Sequence, residues 1–330
     1  MAPTGTETVL YSFTGGSDGS IPIGGVIRDR AGNLYGTALH GGTTNNYCNT
    51  SCGTVYKISP DGTFTVLYTF TGGSDGGNPF AGLIADKKGN LYGTTEQGSS
   101  GTQNCGPFGC GVVFELSPTG VETVLYNFRG YQDGDGDNPG AGLTMDDAGN
   151  LYGTTFQGGT TSCDCGTVFR LAPDGTETVL HRFNGSDGNG PVLGNLILDA
   201  SGNIYGTADY QGPGGCGVAF KLTPKGRETV LHGFACGSDG GYPFSGLIGD
   251  TSGNLYGAAS SYGANGHGVV FELTPDGTET VLYAFAGGND GAFPYGGLLA
   301  RKHHLYGTTY SGGGSATCSN GCGTIFKVRK

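Results

Sequence analysis

Cationic side chains are scarce in this 330-residue chain: 16 lysines and arginines stand against 27 aspartates and glutamates, for a net charge of −11. That balance disfavours nucleic acid and anionic membrane surfaces as partners. Long apolar runs are missing too. None reaches the roughly 18 residues of a membrane span, and Met1-Ala-Pro-Thr has no signal-peptide core, so an exported protein would be represented here in its mature form. No stretch reads as a helix of useful length. No cysteine is left over either: ten fall into the pairs Cys48–Cys52, Cys105–Cys110, Cys163–Cys165, Cys318–Cys322 and, at longer range, Cys216–Cys236. A zinc site would need two such pairs to converge on one ion, yet they sit in different repeats. Disulfides and an oxidising compartment, extracellular or periplasmic, are the expectation.

What the chain has in abundance is glycine, 70 residues, with 14 prolines. Without a period this would signal low complexity, but a period is present. Asp86-Lys-Lys-Gly-Asn-Leu-Tyr-Gly-Thr returns at Asp29, Asp146, Asp199 and Asp250, with a degenerate sixth copy around His304 to Thr308. Its tyrosines, Tyr35, Tyr92, Tyr152, Tyr205, Tyr256 and Tyr306, are about 50–60 residues apart, the spacing of a propeller or an array.

Each repeat reads as four short strands. In the second copy, 82–86 form a first strand, and Asp86-Lys-Lys-Gly-Asn turns the chain into a second strand at 91–95. A Gly-rich loop leads to Gly111-Val-Val-Phe-Glu-Leu, and Ser117-Pro-Thr-Gly to the β-branched and aromatic run Glu122-Thr-Val-Leu-Tyr-Asn-Phe. The last repeat ends after its third strand, while residues 6–13 are a fourth-type strand without the first three. Joining the two would remove two unpaired edges. The expected fold is all-β: one six-bladed β-propeller domain with four antiparallel strands per blade. Its blades fall near 24–70, 81–128, 141–183, 194–234, 245–285 and 296–328, the last closed by 6–13.

The Asp-x-x-Gly-Asn-Leu-Tyr turn resembles that of the NHL and SMP-30-like propeller repeats. With the Gly-Thr-Thr and Gly-Gly elements and the Val-Phe-x-Leu-x-Pro-x-Gly-x-Glu-Thr-Val-Leu-Tyr-x-Phe run, the chain is similar more specifically to the bacterial GloVer (choice-of-anchor tandem repeat) family, over residues 6–328. The resemblance implies an exported, often surface-associated bacterial propeller and carries no catalytic residues. The sixth copy departs from the pattern, with Arg301-Lys302-His303-His304 in place of the turn.

Chemistry is expected on the face built by the blade-to-blade loops and the loops between second and third strands. The former repeat an Asp-Gly theme at Asp18, Asp75, Asp187, Asp239 and Asp290, followed by proline and often by an aromatic, Phe80, Phe244 or Tyr295. The latter begin with His40, Gln97, Gln157 or Gln211, with Tyr262 and Ser311 as variants. Aromatic faces beside amides and carboxylates suit a sugar, whose C–H faces stack and whose hydroxyls need directional partners. A glycan or cell-surface partner is the reading taken, although Asp-Gly and Pro are also ordinary turn residues. Glycoside cleavage on the same face stands second, with Glu96 and Asp209 as paired carboxylates and His40 as the one histidine placed to meet a ligand. A scaffold for protein partners stands third. Calcium is the one cofactor raised, at Asp133, Asp135 and Asp137, whose alternate spacing imitates a calcium loop; Asn138 and Thr144 stand where that loop needs glycine and glutamate, and a solvated acidic loop is the alternative.

Overall fold

A computed structural model describes residues 8–44, 47–48, 51–99, 105–191, 194–314, 318 and 321–330; Thr6 and Glu7 of the proposed N-terminal strand lie outside these. The chain groups into two compact units, Met1–Gly130 with Asp137–Leu143, and Tyr131–Gly136 with Thr144–Lys330. The first holds two four-stranded antiparallel sheets. Sheet one runs Val26–Arg28, Leu34–Ala38, Thr54–Ile58, Phe64–Thr69, and sheet two Ile84–Ala85, Leu91–Thr95, Val112–Leu116, Glu122–Asn127. In the second unit, sheets three to five repeat the meander from Thr144–Met145 to Glu177–Arg182, Ile197–Leu198 to Glu228–Gly233, and Leu247–Gly249 to Glu279–Ala284. Sheet six pairs three strands, Leu299–Arg301, His304–Thr309 and Thr324–Arg329. These are the six blades of an all-β propeller. Among the described residues no helix is long and apolar enough to cross a membrane.

The repeated signature makes the turn between first and second strands. Asp86 accepts the backbone N–H groups of Lys88 and Asn90 through Oδ1 and the Asn90 amide through Oδ2, while Gly89 takes φ +89°. Tyr35, Tyr152, Tyr205 and Tyr256 donate to the equivalent aspartates at 3.0–3.1 Å. Burial pushes the Asp86 carboxyl up, but the bonds from Asn90 and Lys88 together outweigh it and hold the carboxyl below its ordinary value. The degenerate sixth turn has no such aspartate and places Lys302 at φ +52°. Because a side chain in that region costs about 1 kcal/mol, Lys302→Gly is expected to raise stability by about that amount, read from the urea midpoint.

Within each unit the core lies between successive sheets. Phe114, Phe169, Phe220 and Phe271 on third strands, and Phe70, Phe128, Phe183, Phe234 and Phe285 after fourth strands, are fully buried. Phe70 meets Phe114 at 5.1 Å, Phe183 meets Phe220 at 5.3 Å, and Phe285 meets Phe326 at 5.0 Å. In these pairs, each within one unit, the fourth strand covers the sheet that follows it. Residues 8–13 do the same for sheet one: Phe13 packs on Tyr56 at 5.1 Å and Tyr11 stacks on Phe64 at 3.7 Å. They carry no strand assignment, however. Sheet six has three assigned strands, and Ile325 on its outer strand is 66% exposed.

All five disulfides are formed, with Cα atoms 5.0–5.4 Å apart. Four pin the loop between second and third strands to itself. Cys216–Cys236 ties such a loop to a blade-to-blade loop. In sheet five, His267 stands in for the missing pair: its ring lies where a Cβ on Gly287 would sit, as the Cys48 sulfur does beside Gly72.

Candidate functional site

Backbone bridges join the two loop classes. Ser20 pairs with His40, Gly77 with Gln97, Asn189 with Tyr210, Gly241 with Ser261 and Ala292 with Ser311. Glycine is required where they cross: a Cβ on Gly98 would come within 2.3 Å of the Gly76 Cα. The residue before each loop proline completes the strap. Asn78 donates its N–H to the Cys52 carbonyl and accepts that of Glu96; Tyr242 bridges Cys216 and Ser260 in the same way, and Phe293 bridges His267 and Tyr310. Ile21, Asn78, Asn138, Tyr242 and Phe293 all take φ between +54° and +59° for this purpose, strain of about 1–3 kcal/mol each that the surrounding straps over-determine.

The loop aspartates are largely occupied by their own loops. Asp18 accepts from Thr14 and Tyr11, which holds its carboxyl near 2; Asp75 accepts from Thr71 and Tyr68 in the same pattern. Asp187 meets His181 at 3.1 Å and Asn184, Asp239 meets His232 at 3.4 Å and the Ala235 N–H, and Asp290 meets Tyr283 and the Ala286 N–H. Thus His181 and His232 occupy the outer-strand tyrosine position and tie down the next loop. Burial lowers the His232 pKa against the pull of Asp239.

Amide side chains behave similarly. Gln157 donates to Asp164, and Gln211, at φ +58°, accepts from Asn189. The Gln97 Oε1 is buried without a hydrogen bond. His40 meets the Asn78 amide through Nδ1 at 3.0 Å. Phe80 lies half-buried in the first unit.

Sheets four to six gather the aromatic residues into a run. Tyr210 meets Phe244 at 5.9 Å, Phe244 meets Tyr295 at 5.4 Å, and Tyr295 meets Tyr310 at 5.7 Å. Tyr242 flanks the run, contacting Tyr210 at 5.5 Å and Tyr262 at 5.8 Å. The neighbouring Tyr262 hydroxyl, with burial, raises the Tyr242 pKa. Tyr210, Tyr295 and Tyr310 are 37%, 39% and 74% exposed, so ring faces remain open to solvent. The run ends at a cavity of about 500 Å³ lined by Phe293, Tyr295, Tyr310, Ser311 and the Cys318–Cys322 disulfide. Phe244, Tyr295 and Tyr262 were legible as candidates. Tyr210, Tyr242 and Tyr310 were not, and the available signal was that aromatics flank the loop proline on both sides only in Tyr242-Pro-Phe244 and Phe293-Pro-Tyr295.

Glu96 and Asp209 occupy equivalent positions, one residue past their second strands, in the first and second units respectively. Burial pushes the Glu96 carboxyl up to about 7. Asp209 is 1% exposed. The three carboxylates expected to hold calcium stand in different local settings. Asp133 lies exposed in the short 3-10 turn Tyr131–Asp133, Asp135 is buried with Oδ1 accepting the Gly136 N–H, and Asp137 ends the strand Gly136–Asp137. Among the described residues no group of three His, Cys, Asp or Glu is placed to hold a metal ion.

Similar folds occur among solved structures. A gluconolactonase from Xanthomonas campestris aligns with a TM-score of 0.51 at 15% identity, covering 95% of this chain and 87% of its own. A luciferin-regenerating enzyme gives 0.53 at 14%, covering 94% and 92%, and a protein of unknown function from Dyadobacter fermentans gives 0.53 at 12%, covering 94% of each. At these identities the likeness is one of fold, and it places the chain in the β-propeller class. No curated protein matches the chain in sequence. The Gloeobacter/Verrucomicrobia repeat model matches residues 1–198 and 192–330, and the chain belongs to that family.

Proposed function

We propose that this propeller binds a glycan through the loop face of sheets four to six, from an extracellular or periplasmic location that suits five disulfides. The observation that carries the reading is the run Tyr210, Phe244, Tyr295, Tyr310, which exposes ring faces beside a cavity on a backbone held rigid by straps and a disulfide. Rigid rings lose little entropy on stacking, and the tyrosine hydroxyls, Ser311 and loop carbonyls offer directional partners to sugar hydroxyls. Tyr310→Ala removes the most exposed ring without touching the core. It is expected to weaken binding to a retained polysaccharide at least about tenfold, or 1.4 kcal/mol, in affinity electrophoresis. Unchanged retardation would reject the site.

Glycoside cleavage is the second reading, favoured by one observation: a carboxyl raised to about 7, such as that of Glu96, is matched to general-acid work near neutral pH. Release of reducing ends from pectin, glucan or xylan that disappears in Glu96→Gln would put catalysis in place of simple binding.

A further inference from the structure

We propose that the ligand of the aromatic run is a neutral, extended polysaccharide with one sugar unit seated in the cavity beside Tyr295 and Tyr310; this rests on the glycan reading above. The argument is one of charge. Residues 184–196, 209–217, 235–246, 260–268, 286–298 and 310–323, which supply every loop of this face in sheets four to six, contain no lysine or arginine. The cations of these sheets stand elsewhere, on third strands, as Lys221 and Lys327 do, or on the opposite hairpins, as Lys225, Arg227 and Lys302 do. Uronates and sulfated sugars are bound through arginine or lysine, whose charge-assisted hydrogen bonds replace lost water. Within these loops an anionic sugar would meet no such group; Arg182, at the end of the strand that leads into residues 184–196, donates to the Gly134 carbonyl.

It would meet a negative field instead. The loops carry Asp187, Asp209, Asp239 and Asp290, within a chain of net charge −11. Those carboxylates do not serve a cationic amino sugar either. Asp187, Asp239 and Asp290 are held by outer-strand His181, His232 and Tyr283, and Asp209 is 1% exposed. Ring faces, hydroxyls and backbone groups are what the surface offers, and these match neutral pyranose units.

Length follows from the same geometry. Three successive ring contacts of 5.4–5.9 Å carry the run across sheets four, five and six. A monosaccharide stacks on one or two of these rings and leaves the others uncovered. Several linked units are needed to cover the run, each stacking contact adding to the affinity of one chain.

Native affinity electrophoresis of the whole protein tests this, with gels containing barley β-glucan, galactomannan or hydroxyethylcellulose against polygalacturonate or alginate, each at low and at high salt. Retardation by at least one neutral polymer, by neither polyanion at either salt, and its loss in Tyr310→Ala and in Tyr295→Ala is the expected pattern. High salt screens the net charge, so polyanion exclusion that persists there reports missing cationic contacts. Excess oligosaccharide of four or more units should release the protein from the retarding polymer at least about tenfold more effectively than the free monosaccharide. Retardation by polygalacturonate or alginate at either salt overturns the neutral class while leaving glycan binding intact, and equal competition by monosaccharide overturns the extended ligand. Retardation by none of the five polymers overturns the glycan reading itself, and this inference with it.

Discussion

Phe220→Ala should lower stability by about 3–5 kcal/mol, Gly206→Ala by about 1–3 kcal/mol, and the two together by distinctly less than the sum. Phe220 is fully buried, and its ring meets that of Phe183 edge-on at 5.3 Å. Gly206 is the glycine of the repeated Leu/Ile-Tyr-Gly-Thr strand and pairs with Phe220 across the sheet. A Cβ placed on Gly206 would fall 2.7 Å from the Phe220 Cζ and 2.7 Å from the Leu196 Cδ2. Alanine at 206 alone is therefore overpacked, and alanine at 220 alone leaves a cavity. Combined, the added methyl enters space that the ring has vacated, so the double-mutant cycle should show a favourable coupling of about 0.5–3 kcal/mol. Urea midpoints for the four proteins measure it. Strict additivity would mean that the ring and the glycine do not share this space.

The same contact explains the repeat. Gly93 faces Phe114, Gly257 faces Phe271 and Gly307 faces Phe326, each with a virtual Cβ within 2.7 Å of a ring carbon. Sheet one keeps the relation with Tyr56 opposite Gly36. In sheets one to five the tyrosine beside this glycine points to the other side of the strand and ends on the turn aspartate, as Tyr205 does on Asp199 at 3.1 Å. Signature residues are thus consumed by a turn and by a ring, and they leave function to the loops.

Strands, turns and disulfides were legible because their causes are local: Asp86 to Asn90 closes on itself within five residues, and Cys48 reaches Cys52 within one loop. The pairing of the two loop classes followed from Cys216 and Cys236. What sequence could not supply was direction. Asp187 and Asp239 looked available to a ligand, but the histidine six or seven residues earlier points at each of them. Tyr242 lies before a proline, where an extended backbone is the ordinary expectation, and its φ of +59° comes from hydrogen bonds to Cys216 and Ser260, which are distant in the chain. Spacing likewise suggested a metal cage at Asp133, Asp135 and Asp137, whereas among the described residues no group of three such side chains is placed to hold a metal ion.

Stability should be greatest in mild acid, and Glu96→Gln should remove much of its decline toward alkaline pH. Burial raises Glu96 to about 7, and raises Glu122 and Glu279 to about 7 with help from Asp75 and Asp239 respectively. A carboxyl whose pKa is higher folded than unfolded takes up protons on folding, so stability is full below the unfolded value near 4.3 and falls as pH rises through about 7. For Glu96 the loss is about 3 kcal/mol; solvent screening cuts the share of half-buried Glu122 and Glu279 to about 1 kcal/mol each. The turn aspartates act in the opposite sense. Asp29, Asp86, Asp146, Asp199 and Asp250 are held below their ordinary value, with hydrogen bonds overcoming burial in the last four, so their contribution is present above about pH 4 and lost in stronger acid. Between the two sets lies a maximum near pH 4–5. Urea midpoints at pH 5 and pH 8 provide the check: the wild type should lose stability across that interval, and Glu96→Gln should lose about 3 kcal/mol less. Parallel declines in both proteins would show that Glu96 ionises in the folded state as readily as in the unfolded chain, with its carboxylate reached by water in spite of its burial.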